Sequence, residues 1–353
     1  MRKKRLSKWM LLASAVMVVV LVAAACGGEE EEEAAAPAAE EPTAAAPAEK
    51  KGTIKIMESD WTGNWIDIAL AKIVLEDYMN YDVELIFADY SAQFAALAEG
   101  DLHWSAEMWP SNLHNETRLY VEEQGTVESL GEMGIIGKIF WCVPTYMIEG
   151  DPERGIEPMT PDLVSWEQLI QYKDVFVTRE TDPKGWFMAT VVDWQNRDDE
   201  RVASLGLDFE VIYAGSEAAL IATIAEKYDK GEALITSCWQ PWWPMVVYDF
   251  TEIELPPYTD ECYVSQDYGC AFPPDVTWAA AWPGLKDLFP DAYNMLDDFH
   301  LENDDQNEMV IAVDRDGKTT EQAARDWMAE NPEKWINWLP EPYRSEVKAE
   351  LGM

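Results

Sequence analysis

Residues 53–87 read TIKIMESDWTGNWIDIALAKIVLEDYMNYDVELIF. The apolar pattern of residues 53–57 predicts a strand, and a turn follows it at Asp60 to Asn64. Apolar residues then recur at helical spacing from residue 66 to about residue 79, and residues 83–87 form a second predicted strand. A strand, a helix and a second strand in this order are typical of a parallel α/β unit.

The same alternation continues along the chain. Capping-box patterns at Ser165 to Gln168 and at Thr319 to Gln322 predict two further helix starts. Further predicted elements are helices at residues 91–100 and 218–230 and strands at residues 103–109, 135–143, 233–238 and 276–281. Repeated alternation of this kind predicts an α/β fold.

Composition limits the class of function. The chain has 26 Lys and Arg against 67 Asp and Glu, and its net charge of -41 excludes nucleic acid as a partner, since phosphate binding needs clustered cations. At 48% hydrophobic residues it is too apolar for a disordered acidic protein. The acidity fits a soluble surface, and it also fits long-range attraction of a cationic ligand.

The N-terminus carries the features of an export signal. Residues 1–25 combine a basic start with an apolar run that ends in small residues before Cys26, which resembles a lipoprotein processing site. About 15 apolar residues are too few to span a bilayer. We expect Cys26 to be lipidated, residues 26–51 to form an acidic Ala, Glu and Pro tether, and the rest to lie on the outer face of the cytoplasmic membrane.

Four cysteines remain after Cys26, which is an even number in an oxidising compartment. Cys262 and Cys270 are close enough in sequence to close a small loop. Cys142 and Cys238 would then pair or stay free. With three histidines in the chain and no CxxC motif, we expect no metal site and no cofactor.

The chain contains 17 tryptophans, and several follow predicted strands. Ligands of open α/β sheets bind beyond the carboxyl ends of the strands, where these rings would gather. Ring faces attract quaternary ammonium ions, and stacking on sugars is the competing use. We assign Trp166, Trp327, Trp335 and Trp338 to helix faces. The candidate site rings are Trp61, Trp65, Trp109, Trp186, Trp239, Trp242 and Trp243.

Four segments in order resemble the substrate-binding proteins of glycine betaine ABC importers, as do the C-terminal residues around Trp327 and Trp335. The segments are Ala106-Glu107-Met108-Trp109-Pro110, Pro183-Lys184-Gly185-Trp186, Cys238-Trp239-Gln240-Pro241-Trp242-Trp243 and Asp267-Tyr268-Gly269-Cys270-Ala271-Phe272-Pro273. The resemblance implies a two-lobed periplasmic-binding-protein fold of type II, with a mostly parallel sheet flanked by helices in each lobe. It places residues 52–140 and 250–353 in one lobe and residues 141–249 in the other.

The resemblance also implies roles for individual residues. Trp109 of the first lobe would meet Trp186 and Trp239 of the second lobe around a trimethylammonium group. The backbone N–H groups of Phe187 and Met188 would hold the ligand carboxylate, as N–H groups at a helix start can.

An acidic residue beside the cage affects the choice of ligand. On a strand, Glu107 points to the same side as Trp109. A carboxylate there fits choline or another cationic amine, or it bonds a backbone group or a hydroxyl at the cleft rim. Asp60, beside Trp61, raises the same question.

We therefore expect a monomeric, lipid-anchored solute-binding protein that captures glycine betaine or a relative and delivers it to an ABC permease. The sequence contains no HExxH, GxSxG, P-loop or GxGxxG motif, and we expect no enzymatic activity. A glycan-binding lipoprotein or a cell-surface glycoside hydrolase is the alternative from another class, because paired carboxylates are abundant.

Overall fold

A computed structural model describes residues 49–353. The expected signal segment, Cys26 and the tether up to residue 48 lie outside the described residues. Where the tether meets the fold, Lys51 pairs with Asp291 at 2.7 Å. Within residues 49–353, no helix has both the length and the apolar character needed to cross a bilayer.

The strands of the described residues form a mixed sheet. Their order is β2-β1-β3-β9-β4-β7-β5-β6, and β8 pairs with β4. The strands are β1 Thr53–Glu58, β2 Asp82–Phe87, β3 Trp104–Met108, β4 Glu128–Pro144, β5 Gly185–Val191, β6 Phe209–Ala214, β7 Thr236–Gln240, β8 Phe250–Ile253 and β9 Asp275–Ala281.

The long strand β4 joins two lobes. Its residues 128–137 pair with β9, and its residues 138–144 pair with β7 and β8. We call lobe 1 the part built on β1, β2, β3 and β9, and lobe 2 the part built on β5 to β8. The sequence analysis started the second lobe 1 segment at residue 250. In the structure, β8 pairs with the lobe 2 half of β4, and the chain returns to lobe 1 only at β9, so this segment begins after β8.

Pairing is parallel within each group of neighbouring strands. In lobe 1, β1 runs parallel to β2 and β3; in lobe 2, β5 runs parallel to β6 and β7. The pairings of β4 and β9 are antiparallel. Each lobe therefore has its own set of carboxyl strand ends, as expected of an α/β fold that binds ligand at strand ends.

Helices cover both lobes. The helix α1 continues as a π-helical turn at Val74–Tyr78, and 3₁₀ turns lie at Lys173–Phe176, Val192–Trp194 and Ile336–Trp338. The α-helical segments are α1 Thr62–Ile73, α2 Gln93–Glu99, α3 His114–Glu116, α4 Tyr146–Glu149, α5 Trp166–Tyr172, α6 Asp198–Ser204, α7 Glu217–Lys230, α8 Pro244–Val247, α9 Asp260–Val264, α10 Leu285–Leu288, α11 Pro290–Asp297, α12 Asn303–Asp314, α13 Thr320–Glu330, α14 Pro332–Trp335 and α15 Tyr343–Leu351.

Local sequence chemistry sets several helix ends. Both predicted capping boxes are present, with Ser165 opening α5 and Thr319 opening α13. Gly100 ends α2 in the left-handed conformation, where a residue without Cβ has no steric penalty. These starts and stops confirm the sequence predictions.

Two hydrophobic cores hold the lobes. One core packs α1 and the C-terminal helices on the lobe 1 strands, and it contains Trp327, Trp335 and Trp338 as predicted. The other core fills lobe 2 and extends into the cleft, where it includes Trp61, Trp109 and Trp239. The aromatic residues are therefore divided between helix packing and the space between the lobes.

Candidate functional site

A cavity of about 40 Å³ lies between the lobes. Four of its lining residues come from lobe 1 and four from lobe 2 or the lobe 2 half of β4. They are Trp61, Tyr90, Trp109 and Asn112, and Ile139, Trp194, Asn196 and Trp239. Both lobes therefore contribute equally to the cavity wall.

The rings reach this cavity from strand ends. Trp61 follows β1, Tyr90 follows β2 and Trp109 follows β3 in lobe 1. In lobe 2, Trp194 follows β5 and Trp239 lies near the end of β7. Because neighbouring parallel strands end at the same edge of a sheet, the topology brings residues that are far apart in sequence to one place.

The rings meet edge to face. The centroids of Trp61 and Trp194 are 5.7 Å apart at 78°, and those of Trp194 and Trp239 are 5.3 Å apart at 88°. The ring of Tyr90 lies 5.2 Å from that of Trp61 at 85°. Rings at right angles present several π faces to one enclosed volume, and such faces attract a cation.

Trp242 supports the cage from behind. Its ring stacks on that of Trp239 with centroids 3.8 Å apart and 21° between the planes. Trp242 is buried and does not line the cavity. The pair forms a double aromatic wall on the lobe 2 side.

A bulge in β3 places Trp109. Pairing with β9 shifts between Ser105 and Met108, and Glu107 has a positive φ of 54°. The Tyr90 hydroxyl donates to the Glu107 carbonyl at 2.7 Å and accepts the Trp109 N–H at 2.9 Å. Burial raises the pKa of Tyr90 well above its usual value, so the phenol stays neutral and can serve both groups.

Gly137 allows the close approach of Trp109. A Cβ at residue 137 would lie 2.3 Å from Trp109 Cζ3, which is far inside van der Waals contact. Strand β4 can therefore pass beside the ring only with glycine at this position.

The polar part of the cavity wall consists of two amides. Asn112 Nδ2 donates to Asn196 Oδ1 at 2.7 Å and to the Trp194 carbonyl, and these bonds join the lobes. Asn196 Nδ2 donates no hydrogen bond within residues 49–353, so it is available to a ligand oxygen. Among the lining residues of the described chain, none carries a formal charge.

Buried arginine fixes the segment that carries Asn196. Arg201 Nη1 donates to the Asn196 carbonyl at 2.8 Å, and Arg201 Nε donates to the Cys270 carbonyl at 2.8 Å. Its guanidinium lies 3.8 Å from the centroid of Phe272 and is fully buried with Asp198. This arrangement ties the cage segment to the loop closed by the Cys262–Cys270 disulfide. Cys142 and Cys238 form a second disulfide between β4 and β7.

Carboxylates accept the indole N–H groups of the cage. Trp61 Nε1 donates to Glu107 Oε2 at 2.6 Å, and Trp194 Nε1 donates to Asp60 Oδ1 at 2.5 Å across the lobe interface. Trp242 Nε1 donates to Glu217 Oε1 at 3.0 Å. Three carboxyl groups therefore lie behind the rings, outside the cavity wall.

Glu107 lies in the core rather than at the cleft rim. It is 1% exposed and also accepts a hydrogen bond from Gln306 Nε2 at 2.9 Å. Gln306 Nε2 also lies 3.3 Å from the buried Asp67 Oδ1. Burial raises the pKa of Glu107 to about 7, and burial together with the Glu107 charge raises the pKa of Asp67 well above its usual value. The two carboxyl groups hold less than two full charges at neutral pH.

The structure corrects the place expected for Trp186. This residue lies at the amino end of β5, where Lys227 Nζ sits 4.8 Å from the centroid of its ring, and it does not line the cavity. Trp194, beyond the carboxyl end of the same strand, lines the cavity instead. The sequence signal was present, because residues 185–191, in which Thr190 is the one polar side chain, predict a buried strand that ends before Trp194.

The expected carboxylate contact at Phe187 and Met188 is also corrected. Both residues lie within β5, and the Met188 N–H donates to the Ile235 carbonyl at 3.0 Å. The Phe187 ring packs 4.8 Å from Trp141 in the lobe 2 core. Neither residue lines the cavity.

Two other expected rings lie outside the cavity wall. Trp65, in α1, donates its indole N–H to the Ser59 carbonyl at 2.6 Å. Trp243 lies with Trp65 along a separate groove between α1 and α7. Sequence reasoning missed Tyr90, Asn112, Ile139, Trp194, Asn196 and Glu217.

Within residues 49–353, no group of three or more His, Cys, Asp or Glu side chains is arranged to hold a metal ion. The chemistry of the site is therefore that of aromatic faces, two amides and carboxylates behind the rings.

The comparisons agree on one family. The sequence model of the substrate-binding domain of ABC-type glycine betaine transport systems matches residues 52–330. The trimethylamine N-oxide-binding protein of Pelagibacter ubique is 25% identical over 302 residues, which are 82% of this chain and 91% of that protein.

Solved structures share the two-lobed fold. Lactococcal OpuAC, in its closed conformation with glycine betaine, superposes with a TM-score of 0.62 at 17% identity and covers 82% of this chain and 100% of its own. An ABC-transporter choline-binding protein with choline superposes with a TM-score of 0.66 at 18% identity and covers 85% of this chain and 98% of its own.

Proposed function

The chain belongs to the family of substrate-binding domains of ABC-type glycine betaine transport systems, and from this premise we propose that it captures a small solute with a trimethylammonium group in the ring cage between its lobes. The family consists of substrate-binding domains of transport systems, and we propose that this chain has no enzymatic activity. One observation carries the proposal: Trp61, Tyr90, Trp109, Trp194 and Trp239 converge on one cavity that both lobes wall.

The cage suits a quaternary ammonium group physically. Such a group has no N–H donor, so it gains little from acceptor oxygens and much from ring faces. A desolvated cation–π contact contributes about 2 kcal/mol, and several rings share one cation here. A sugar would need many hydrogen-bond partners, whereas the wall offers two amides. The geometry therefore favours the ammonium class over the glycan alternative.

The opposite end of the ligand faces Asn112 and Asn196. The available N–H of Asn196 fits an oxygen acceptor, which glycine betaine supplies as a carboxylate, choline as a hydroxyl and trimethylamine N-oxide as its oxide. No lining Lys or Arg within residues 49–353 pairs with a carboxylate. We propose glycine betaine or a relative as the ligand, with choline as the alternative to which Glu107 contributes through Trp61.

Delivery and anchoring complete the proposal. Residues 1–25 direct export, Cys26 carries the lipid, and the closed form docks on an ABC permease at the outer face of the membrane. The sequence before Cys26 and the family of the chain support these steps. We propose that the protein acts as a monomer.

A thermal-shift panel tests the ligand class. A ligand that binds only the native state raises the melting temperature by mass action. We expect glycine betaine, choline or trimethylamine N-oxide to raise it, and we expect maltose and cellobiose to leave it unchanged. A shift with the sugars alone would establish the glycan alternative.

A further inference from the structure

Glu217 joins the two lobes at the back of the cage. It lies in the first turn of α7 in lobe 2 and is 5% exposed. Its Oε2 accepts the backbone N–H of Thr62 in lobe 1 at 2.9 Å, and its Oε1 accepts the indole N–H of Trp242 in lobe 2 at 3.0 Å. Each carboxylate oxygen thus serves a different lobe.

The lobe 1 contact completes a helix end that lacks a cap of its own. Thr62 is the first residue of α1, and its N-cap residue Trp61 offers no side-chain hydrogen bond. The first turn of α1 contains no acidic residue. An unpaired N–H at a helix start is costly when buried, and a carboxylate is its best partner. Glu217 therefore caps α1 from the opposite lobe.

The lobe 2 contact holds the wall of the cage. Trp242 stacks on Trp239 at 3.8 Å, and Trp239 lines the cavity. Thr62 directly follows Trp61, which lines the cavity from lobe 1. Glu217 thus contacts Thr62, which follows the cavity residue Trp61 in sequence. It also contacts Trp242, whose ring stacks on the cavity residue Trp239.

The surroundings of Glu217 are acidic. The Thr62 hydroxyl donates to Asp314 of α12 at 2.8 Å, and Asp60 lines the same groove. Among the ion pairs of residues 49–353, none includes Glu217. Its two N–H donors are therefore the main compensation for burying this carboxyl group.

We propose that Glu217 is a positioning residue that couples lobe closure to the assembly of the cage, by capping α1 of lobe 1 and holding Trp242 behind Trp239 of lobe 2 at the same time. The inference rests on the proposed function, in which the lobes close around a ligand. It adds a residue that touches no ligand and stabilises the closed form. Loss of Glu217 leaves the Trp242 indole N–H without its acceptor in either form, and it leaves the Thr62 N–H unpaired in the closed form alone.

Binding kinetics with choline, glycine betaine and trimethylamine N-oxide test the proposal. Stopped-flow tryptophan fluorescence measures association and dissociation for the wild type, Glu217→Ala, Glu217→Gln and Glu226→Ala. Glu226 lies on the same helix and pairs with Lys230 in solvent, so Glu226→Ala is the matched control. We expect Glu217→Ala to weaken binding about tenfold, mainly through faster dissociation, because the buried Thr62 N–H loses its acceptor in the closed form. We expect Glu217→Gln, which keeps one acceptor oxygen for the two N–H donors, to restore part of the affinity.

A double-mutant cycle separates coupling from general damage. Trp242→Phe keeps a ring behind Trp239 and removes the N–H that Glu217 accepts. Non-additive losses in Glu217→Ala and Trp242→Phe would support the proposal, since the two residues act through one hydrogen bond. Additive losses, or affinity within twofold of the wild type in Glu217→Ala, would overturn it.

Amide hydrogen exchange of the segment around Thr62, measured in the free protein and with each of the three probes, tests the contact directly. We expect faster exchange in Glu217→Ala and wild-type exchange in Glu226→Ala. Equal exchange in both would refute the cap. The exchange measurement on the free protein still tests Glu217 if the wild type binds none of the three probes. Such a failure to bind would count against the proposed function and not against the role of Glu217.

Discussion

The indole N–H of Trp61 donates to the buried carboxylate of Glu107 at 2.6 Å, while the same indole lines the cavity. A ring can therefore meet a ligand with one face and a negative charge with its N–H. Trp194 and Asp60 repeat the arrangement across the lobe interface at 2.5 Å. In the proposed cage, an ionised carboxylate placed this way would strengthen the attraction of the ring faces for a cation without facing the ligand itself.

Trp194, and not Trp186, is expected to contact the ligand. Trp194→Ala should weaken choline binding about tenfold, because one desolvated cation–π contact is lost. Trp186→Ala is the matched control, since the Trp186 ring packs under Lys227 outside the cavity. The affinity of Trp186→Ala for choline should stay within about twofold of the wild type. Isothermal titration calorimetry gives both values, with thermal unfolding to confirm the folded state. A larger loss of affinity in Trp186→Ala than in Trp194→Ala would instead support the Trp186 site expected from the sequence.

The charge of Glu107 is expected to select cationic ligands. Glu107→Gln keeps an acceptor for Trp61 and removes the charge, so at pH 8 choline should bind about fivefold more weakly or worse. Its uncharged isostere 3,3-dimethylbutan-1-ol should bind equally to both proteins.

The loss of choline affinity in Glu107→Gln should be larger at high pH than at low pH. The pKa of Glu107 is raised to about 7, so the difference between variant and wild type should shrink at pH 6, where the wild-type carboxyl is protonated. Competition titrations at both pH values provide the measurement. Equal losses for choline and the isostere would mean that Glu107 acts through structure alone.

Stability is expected to fall as pH rises through neutrality. Burial raises the pKa of Glu107 and Asp275 to about 7 and that of Glu217 to about 8. A carboxyl with a raised folded-state pKa takes up a proton on folding, so its contribution is present at low pH and is lost as pH rises through the folded value. The free energy of unfolding, from denaturant curves at pH 6, 7 and 8.5, should decrease across this series.

Asp275→Asn isolates one of these groups. The amide keeps an acceptor for the Ser111 N–H, which Asp275 Oδ1 receives at 2.8 Å, and it removes the titration. The free energy of unfolding of Asp275→Asn should decrease less with rising pH than that of the wild type. The surface variant Glu226→Gln should show the same decrease as the wild type. Equal stability of the wild type at pH 6 and pH 8.5 would contradict the assignment of these three carboxyl groups.

The fold was largely readable because its signals are local. Apolar periodicity predicted β1, α1 and β2, and side-chain chemistry predicted the starts of α5 and α13. The strand-end rule placed Trp61, Trp109 and Trp239 near the site. These predictions depend on residues that are close together in sequence.

The missed features depend on distant or irregular contacts. Trp194 was overlooked because no strand was predicted at residues 185–191 and the resemblance directed attention to Trp186. The bulge at Glu107 breaks the strand alternation that sequence reasoning assumed. Glu217 contacts Thr62, which lies 155 residues away in sequence, and no local sequence pattern predicts that contact.

Isothermal titration calorimetry of the purified protein with glycine betaine, choline and trimethylamine N-oxide tests the cage most directly. We predict that at least one of them binds with one-to-one stoichiometry and that the binding weakens about tenfold or more in Trp239→Ala, as expected for loss of one aromatic face. Failure of all three to bind at millimolar concentration, or unchanged affinity in Trp239→Ala, would contradict the account.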